Sequence, residues 1–301
     1  MRVGSMVICC VCGLLTYDSG KTWFTTALVL ALRSRGVKTC PFKPVAGHSA
    51  WSQSSTISYS TSVKMLVGDD VRNFVERLSL PPSEIPMVNP VDLLLAPHDP
   101  SQALREGRFE TYFSILEEPR QVVLARLPYA GSSKHFLIVD TIQRTPRSIR
   151  ERVLRLADVL GAERTRSETL MKMLRSEEVE ERILDALRYL ISKNDLVIIE
   201  SFNDAAIPVL SLRNFVDVYV VVGPGVAAMY MDGKRVAKAI EIATYLRGEE
   251  GLRTRYVFSK LRPDAIIDID VVDTPETLAQ SRAIENIVDA LLNISRRVVR
   301  A

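Results

Sequence analysis

The run Gly13-Leu14-Leu15-Thr16-Tyr17-Asp18-Ser19-Gly20-Lys21-Thr22 carries the strongest chemistry in the chain. A glycine-containing loop between a buried strand and a helix can aim backbone N–H groups at phosphate oxygens, and the helix dipole favours the negative charge they bear. On that reading the amides from Asp18 to Thr22 cradle phosphates, with Ser19 and Gly20 at the bend and Thr16 and Tyr17 alongside. Lys21 bridges the β and γ phosphates, and the Thr22 hydroxyl ligates magnesium. The position that a strict GxxxxGK[ST] pattern gives to its first glycine holds Leu15, and the nearest glycine is Gly13, two positions earlier. A bare Gly-Lys-Thr is common by chance, so the reading depends on a strand before it and a helix after it. The competing account is a plain turn with a solvated Lys21. That account does not explain why the run follows the first strand directly, where open α/β sheets bind ligands.

The elements around the loop supply this context. Val7 to Cys12 is a continuous apolar run, the pattern of a strand buried on both faces of a parallel sheet. Phe24, Ala27, Leu28, Leu30, Ala31 and Leu32 fit a helix from Thr22 to Arg35 with Gly36 as its stop, and Thr39 to Phe42 reads as a second strand. The Ser/Thr-rich segment from Ser49 to Ser62 reads as a loop, Val63 to Leu78 as a helix, and the proline-punctuated stretch from Pro81 to Pro100 as no single element. Gln121–Tyr129 and Lys134–Thr141, separated by Ala130-Gly131-Ser132-Ser133, carry a hairpin signature. Helices follow from Pro146 to Leu160 and from Glu177 to Ser192. Next come strands at Leu196–Ile199 and Val216–Val222, a mostly helical Ala227–Arg247, a strand at Thr254–Ser259 and a helix over Thr274–Arg296. This alternation predicts an α/β doubly wound, mostly parallel sheet. The expected core takes residues 1–118 and 177–301, with a hairpin-and-helix insertion at 119–176.

Composition bounds the rest. The 301 residues suit about two domains, or one core with an insertion, at roughly 150 residues each. Hydrophobic residues at 47% and charged residues at 25% exclude a disordered or collagen-like chain, and a net charge of +3 is too small to name nucleic acid or an anionic membrane as partner. Cys9, Cys10, Cys12 and Cys40 lack both zinc-site spacing and a nearby histidine, so they read as buried small hydrophobes in a reducing, cytoplasmic protein. No segment supplies the ~20 apolar residues of a membrane span. The stretch from Met6 to Leu15 reads as a strand and not as a signal peptide.

The residues resemble the dethiobiotin synthetase family, within the branch of P-loop ATPases that includes cobyrinic acid amidases and MinD-like proteins. Four matches carry it: Tyr17-Asp18-Ser19-Gly20-Lys21-Thr22, Lys43-Pro44-Val45, Asn89-Pro90 followed by Pro97-His98, and the apolar strand Leu196–Glu200 before a loop that runs to Pro208. They span most of residues 7–100 and 177–290. The resemblance implies ATP and magnesium as cofactors and phosphoryl transfer to a small carboxylate or carbamate acceptor. It implies Lys21, Lys43 and Glu200 as catalytic residues, Thr22 and Glu200 as magnesium ligands, and Pro224, Gly225 and Ser259 on the nucleotide side. On the substrate side it implies His48, Ser49, His98 and Asn203. A homodimer is a further expectation.

The chain departs from the family where that family recognises its own substrate. Gly47 replaces a serine, the second acidic magnesium ligand has only Asp69 and Asp70 as candidates, and the glycines after the glutamate are replaced by Ser201, Phe202, Asn203 and Asp204. A pocket of bare glycine backbone does not keep its shape around a phenylalanine, so the expectation is an ATP half that survives and a diaminopelargonic acid half that is lost. Ser259 stands where relatives carry an adenine-reading asparagine, and no Asn-Lys-x-Asp guanine reader is present, which favours ATP over GTP. His135 reads as a surface strand residue, and Arg144, Arg147, Arg150, Arg152 and Arg155 as a solvated helix face. Trp51 fits either a lid aromatic or the core. Two other functions fit the same loop: a MinD-like nucleotide switch acting on a protein partner, and a nucleoside or polynucleotide kinase suggested by Asp18-Ser19-Gly20-Lys21.

Overall fold

The computed structural model describes residues 6–16, 18–114, 118–129 and 132–298. Its strands are β1 (Val7–Gly13), β2 (Thr39–Phe42), β3 (Val45–Ser49), β4 (Val91–Leu95), β5 (Val122–Tyr129), β6 (Ser132–Ile138), β7 (Glu163–Thr165), β8 (Leu196–Glu200), β9 (Val218–Gly223), β10 (Val226–Tyr230) and β11 (Ala265–Asp268). The fold is α/β and doubly wound, and the chain divides into two compact units. One takes residues 1–44, 76–80 and 184–301, and the other takes 45–75 and 81–183.

The first unit holds a six-stranded sheet in the order β11-β10-β9-β1-β8-β2. β1 pairs in parallel with β8 and β9, β2 pairs in parallel with β8, and β10 and β11 extend the sheet antiparallel. Every residue of β1, β2, β8 and β9 is buried. That explains why Val7–Cys12, Leu196–Ile199 and Val218–Val222 read as apolar runs instead of alternating ones. The Lys21–Ser34 helix buries Phe24, Ala27, Leu28 and Leu32, positions spaced for one helical face, and packs against the Pro275–Ala279 and Arg282–Val298 helices. It returns the chain to β2 on one side of β1, whereas β8 leads to β9 on the other. The crevice outside the carboxyl ends of β1 and β8 is therefore a topological switch point.

The second unit is built on a five-stranded mixed sheet, β3-β4-β5-β6-β7. Its core gathers Leu66, Leu94, Leu124, Ile149, Val153 and Leu156. The expected insertion, 119–176, is thus only part of a larger body that begins at Val45. Strands β3 and β4 hydrogen-bond to each other and β4 to β5, and a segment paired into a sheet belongs with that sheet. The hairpin is present as β5–β6, antiparallel, with Ala130 and Gly131 of its turn outside the described residues.

Other expectations are corrected. The Ser/Thr-rich segment ends β3 and forms a helix over Ser55–Val63, where Thr56, Ile57 and Ser60 are buried and Thr61 bonds back to the Ile57 carbonyl at 2.8 Å. The next helix starts only at Asp69, because Lys64 takes a left-handed conformation. Residues 227–230 are strand β10, not helix. Thr254–Ser259 is a helical turn, Thr254–Val257, running into a 3₁₀ turn at Phe258–Lys260. The terminal helix is interrupted between Ala279 and Arg282. The four cysteines are buried, and burial pushes the Cys9 and Cys10 thiols up from their ordinary pKa. No helix among the described residues is long and apolar enough to cross a membrane.

Candidate phosphate-binding site

The loop between β1 and its helix is shaped by side chains as much as by glycine. The Ser19 hydroxyl accepts from the Leu15 amide at 3.0 Å and donates to the Leu15 carbonyl at 2.7 Å, closing the turn at the position where a strict motif has glycine. Asp18 (φ 54°) and Gly20 (φ 78°) both adopt left-handed backbone, which turns the chain into the helix. The helix starting at Lys21 has no side-chain cap and no acidic residue of its own in its first turn. Tyr17 lies outside the described residues.

Gly13, which the motif comparison alone placed two positions out of register, has a steric role. A Cβ there would sit 2.7 Å from Ser19 Oγ, 2.8 Å from Lys21 Nζ and 3.0 Å from the Asn203 carbonyl. The lysine head group occupies the space that only a glycine leaves. Lys21 Nζ donates to that Asn203 carbonyl at 2.8 Å, and Asn203 holds a positive φ of 46° to present it.

Sheet register brings the remaining charges together. Val11 lies opposite Glu200 and Phe42 opposite Ile199, so the carboxyl ends of β1, β8 and β2 deliver the loop, Glu200 and Lys43 to one end of the sheet. Glu200 is fully buried and Lys43 nearly so. Glu200 Oε1 accepts from Lys43 Nζ at 2.6 Å and from Thr22 Oγ1 at 2.8 Å. Its second oxygen, Oε2, has no hydrogen-bond partner among the described residues, and neither has the adjacent buried Ser201 hydroxyl. A buried carboxylate oxygen without a donor is costly unless something positive meets it.

The loop after β8 is fixed by contacts that the linear motifs did not reveal. The Asp204 carbonyl accepts from both the amide (2.6 Å) and the hydroxyl (2.8 Å) of Thr254, and the Asp204 carboxylate lies 3.4 Å from Arg253 Nη1. The Ala206 amide donates to the Leu252 carbonyl at 2.7 Å. Residues some fifty positions apart thereby hold the carbonyl that meets Lys21, and no spacing rule signals such a pair. This anchoring is what stands in place of the expected run of glycines.

The other predicted site residues are placed as follows. Pro224 and Gly225 form the two-residue turn of the β9–β10 hairpin, with Gly225 at φ 74°. This turn lies at the same end of the sheet as the phosphate loop, and the Leu14 amide donates to the Val222 carbonyl at 2.8 Å. Ser259 is not at a strand end: it is exposed in a 3₁₀ turn, where its hydroxyl makes a 3.4 Å contact with the Tyr256 carbonyl. His48, Ser49 and His98 belong to the second unit and are taken up by its own polar contacts. Buried His48 has Nδ1 2.8 Å from Thr56 Oγ1 and Nε2 3.1 Å from Asp92 Oδ1. The Ser49 amide donates to Gln53 Oε1. His98 Nε2 lies 3.2 Å from the Arg120 carbonyl, and burial lowers its pKa from the ordinary histidine value. Asp69 and Asp70 open a helix of that same unit.

Asn89, noted as half of a motif, proves to be a ligand of buried Arg126, whose Nη2 donates to Asn89 Oδ1 at 2.5 Å and whose Nη1 donates to the Asn89 carbonyl at 2.6 Å. His135 is half-buried in its strand: its Nε2 accepts from the Leu66 amide at 3.2 Å, and burial with the nearby Arg126 charge pushes its pKa down to about 4. Trp51 is 70% exposed, which removes it from the core. Comparison of the chain with protein-family models and with curated proteins returns no match.

The residues fit a magnesium–nucleotide complex. Among the described residues no group of three or more His, Cys, Asp or Glu side chains could hold a metal by itself. Magnesium characteristically takes one or two protein ligands and completes its shell with phosphate oxygens and water. The paired Thr22 hydroxyl and Glu200 carboxylate, with Oε2 unpartnered, suit that mode.

Proposed function

We propose that this protein is a magnesium-dependent ATPase that transfers the γ-phosphoryl group of ATP to a small carboxylate or carbamate acceptor, with chemistry like that of dethiobiotin synthetases. The observation that carries this reading is the convergence of Thr22 and Lys43 on one oxygen of a buried Glu200 whose other oxygen is unpartnered, directly beside an uncapped helix start and Lys21. Thr22 and Glu200 would hold magnesium, which supplies charge neutralisation across the β and γ phosphates when bound.

The chain's own residues account for the rest. Loop amides from Asp18 to Thr22 orient the phosphates, and the Lys21 ammonium exchanges the Asn203 carbonyl for phosphate oxygen. Lys43, already ordered by Glu200, adds positive charge where it develops on the transferred group. An acceptor oxygen bonds to the γ-phosphorus as the bond to the β–γ bridging oxygen breaks, yielding an acyl or carbamoyl phosphate and ADP. A buried lysine held by a buried glutamate does not reorganise during this step, which is the advantage of a preformed electrostatic site.

A MinD-like switch is the second reading, favoured by the Asp204–Thr254 anchoring, which ties the loop after β8 to its own chain where the family exposes glycine backbone to its substrate. The experiment that tests ATP binding is calorimetry of Mg-ATP with Lys21→Ala. We expect a loss of affinity of at least tenfold, and unchanged affinity overturns both readings. Phosphorylated-acceptor formation then separates transfer from a switch, which turns over ATP without any acceptor.

A further inference from the structure

The phosphate loop exposes large apolar side chains on both of its arms. Leu14 and Leu15 precede the bend at 49% and 43% exposure, and Trp23 follows it at 40%. Leu14 is directed at the β9–β10 hairpin, since a Cβ on Gly223 would meet Leu14 Cδ2 at 3.0 Å. Trp23 makes no hydrogen bond and no ring or cation contact among the described residues. A large indole, whose N–H ordinarily finds an acceptor, thus stands open beside the candidate phosphate site.

Its place in the helix says what would meet it. Gly20 is the N-cap, and the first helical hydrogen bond runs from the Phe24 amide to the Gly20 carbonyl at 3.0 Å. The Trp23 amide is therefore the last of the N–H groups that a helix start leaves for an anion. Helical side chains tilt toward the N-terminus, so the indole covers the surface on the loop side of its own Cα. Amide and ring of one residue then border the same edge of the phosphate site. A helix start alone is no site, but here Glu200 Oε2 and the Ser201 hydroxyl are buried without a partner among the described residues. The other Glu200 oxygen accepts from Thr22, the residue before Trp23.

We propose that Trp23 is the base platform of this site: its indole stacks on the base of the nucleotide whose phosphates the loop holds. The proposal rests on the nucleotide reading above and adds the residue that tells a nucleotide from bare polyphosphate. Ser259, the expected base contact, is instead an exposed residue of a 3₁₀ turn. An aromatic face next to the phosphates is sufficient to take its place, because every base has a π-face to stack, and loss of such a ring lowers affinity by about five- to a hundredfold.

The test is calorimetry of the full chain with Mg-ATP and with magnesium tripolyphosphate, which offers phosphates without a base. Trp23→Ala should lose at least tenfold in Mg-ATP affinity and stay within about twofold of the parent for tripolyphosphate. Trp23→Phe, which keeps a ring, should stay within about fivefold of the parent for Mg-ATP. In a Trp51→Phe background the emission of Trp23 should change with Mg-ATP and not with tripolyphosphate. Trp23 lies at the exposed start of its helix, and unchanged circular dichroism of each variant shows that the fold is intact. Unchanged Mg-ATP affinity in Trp23→Ala overturns the proposal and leaves the nucleotide reading in place. So does an equal loss for both ligands, because Trp23 then shapes the loop and meets no base, and so does a Trp23→Phe variant no better than Trp23→Ala. A parent that binds neither ligand overturns the nucleotide reading and this proposal with it.

Discussion

Glu200→Gln is the most informative single change. The substitution keeps the shape and leaves an acceptor oxygen for Thr22 and Lys43, but the Lys43 ammonium, 3% exposed, then faces a neutral amide in place of a carboxylate. Breaking a buried ion pair from one side costs about 3–5 kcal/mol, and retention of both hydrogen bonds points to the lower end, ~3 kcal/mol. With a urea m-value of about 2 kcal/mol/M, the unfolding midpoint of the first unit should fall by ~1.5 M. Trp23, next to Thr22 in sequence and 40% exposed, reports on this unit in a Trp51→Phe background.

The double variant Glu200→Gln/Lys43→Met should recover most of the loss, because it removes both members of the buried ion pair. Mg-ATP at ~100 times its dissociation constant should stabilise the parent by about 2.7 kcal/mol. The magnesium-dependent part of that increment should vanish in Glu200→Gln. A loss under about 1 kcal/mol, together with an intact magnesium-dependent increment, would refute both the buried-pair argument and the assignment of Oε2 to the metal.

Gly13→Ala forces a methyl group to within 2.8 Å of Lys21 Nζ, so Mg-ATP affinity measured by calorimetry should fall at least tenfold. The accompanying destabilisation should be about 1–3 kcal/mol. His135 has a folded pKa of about 4 against an ordinary value near 6.5, so the native state binds fewer protons. Its contribution is present in full above about pH 6.5 and is lost as pH falls through 4, on the order of 3 kcal/mol. His135→Gln should flatten the acid limb of stability against pH in thermal melts. Arg126→Ala removes the donors that meet Leu66, Asn89 and Pro90 carbonyls, and should cost the second unit about 3–5 kcal/mol, seen as proteolysis confined to that unit. Arg126→Lys should not rescue it, because one ammonium does not reproduce the fork.

The first unit was legible where a short local pattern decides the structure. Val7–Cys12 and Leu196–Ile199 are apolar at every position, which only a doubly covered strand accommodates. The Lys21–Ser34 helix shows its period over a full 14 residues. The Ser/Thr-rich segment reads as a loop because local propensity favours turns for those residues, whereas in the fold it is a helix with Thr56 and Ser60 buried and their hydroxyls bonded to the Gln53 and Val67 carbonyls. Thr254–Ser259 was misread for the opposite reason. A run of β-favouring residues is short enough to be overruled once Thr254 is bonded to Asp204.

By itself, then, the amino-acid order determined that a Gly-Lys-Thr loop joins a buried strand to a helix in an α/β chain, and that Lys43 and Glu200 stand at the ends of other apolar runs. Tertiary structure alone decided that β8 lies between β1 and β2, which brings Lys43 Nζ and Thr22 Oγ1 onto the same Glu200 oxygen and leaves the other without a donor. It alone set Lys21 Nζ and Ser19 Oγ against Gly13 and moved residues 45–75 and 81–118 out of the first unit. The physical reason is one of range. Hydrophobic period and turn chemistry act over a few residues and are written along the chain. Strand order, the partner of a buried charge and the space beside a glycine are set by contacts between segments far apart in sequence.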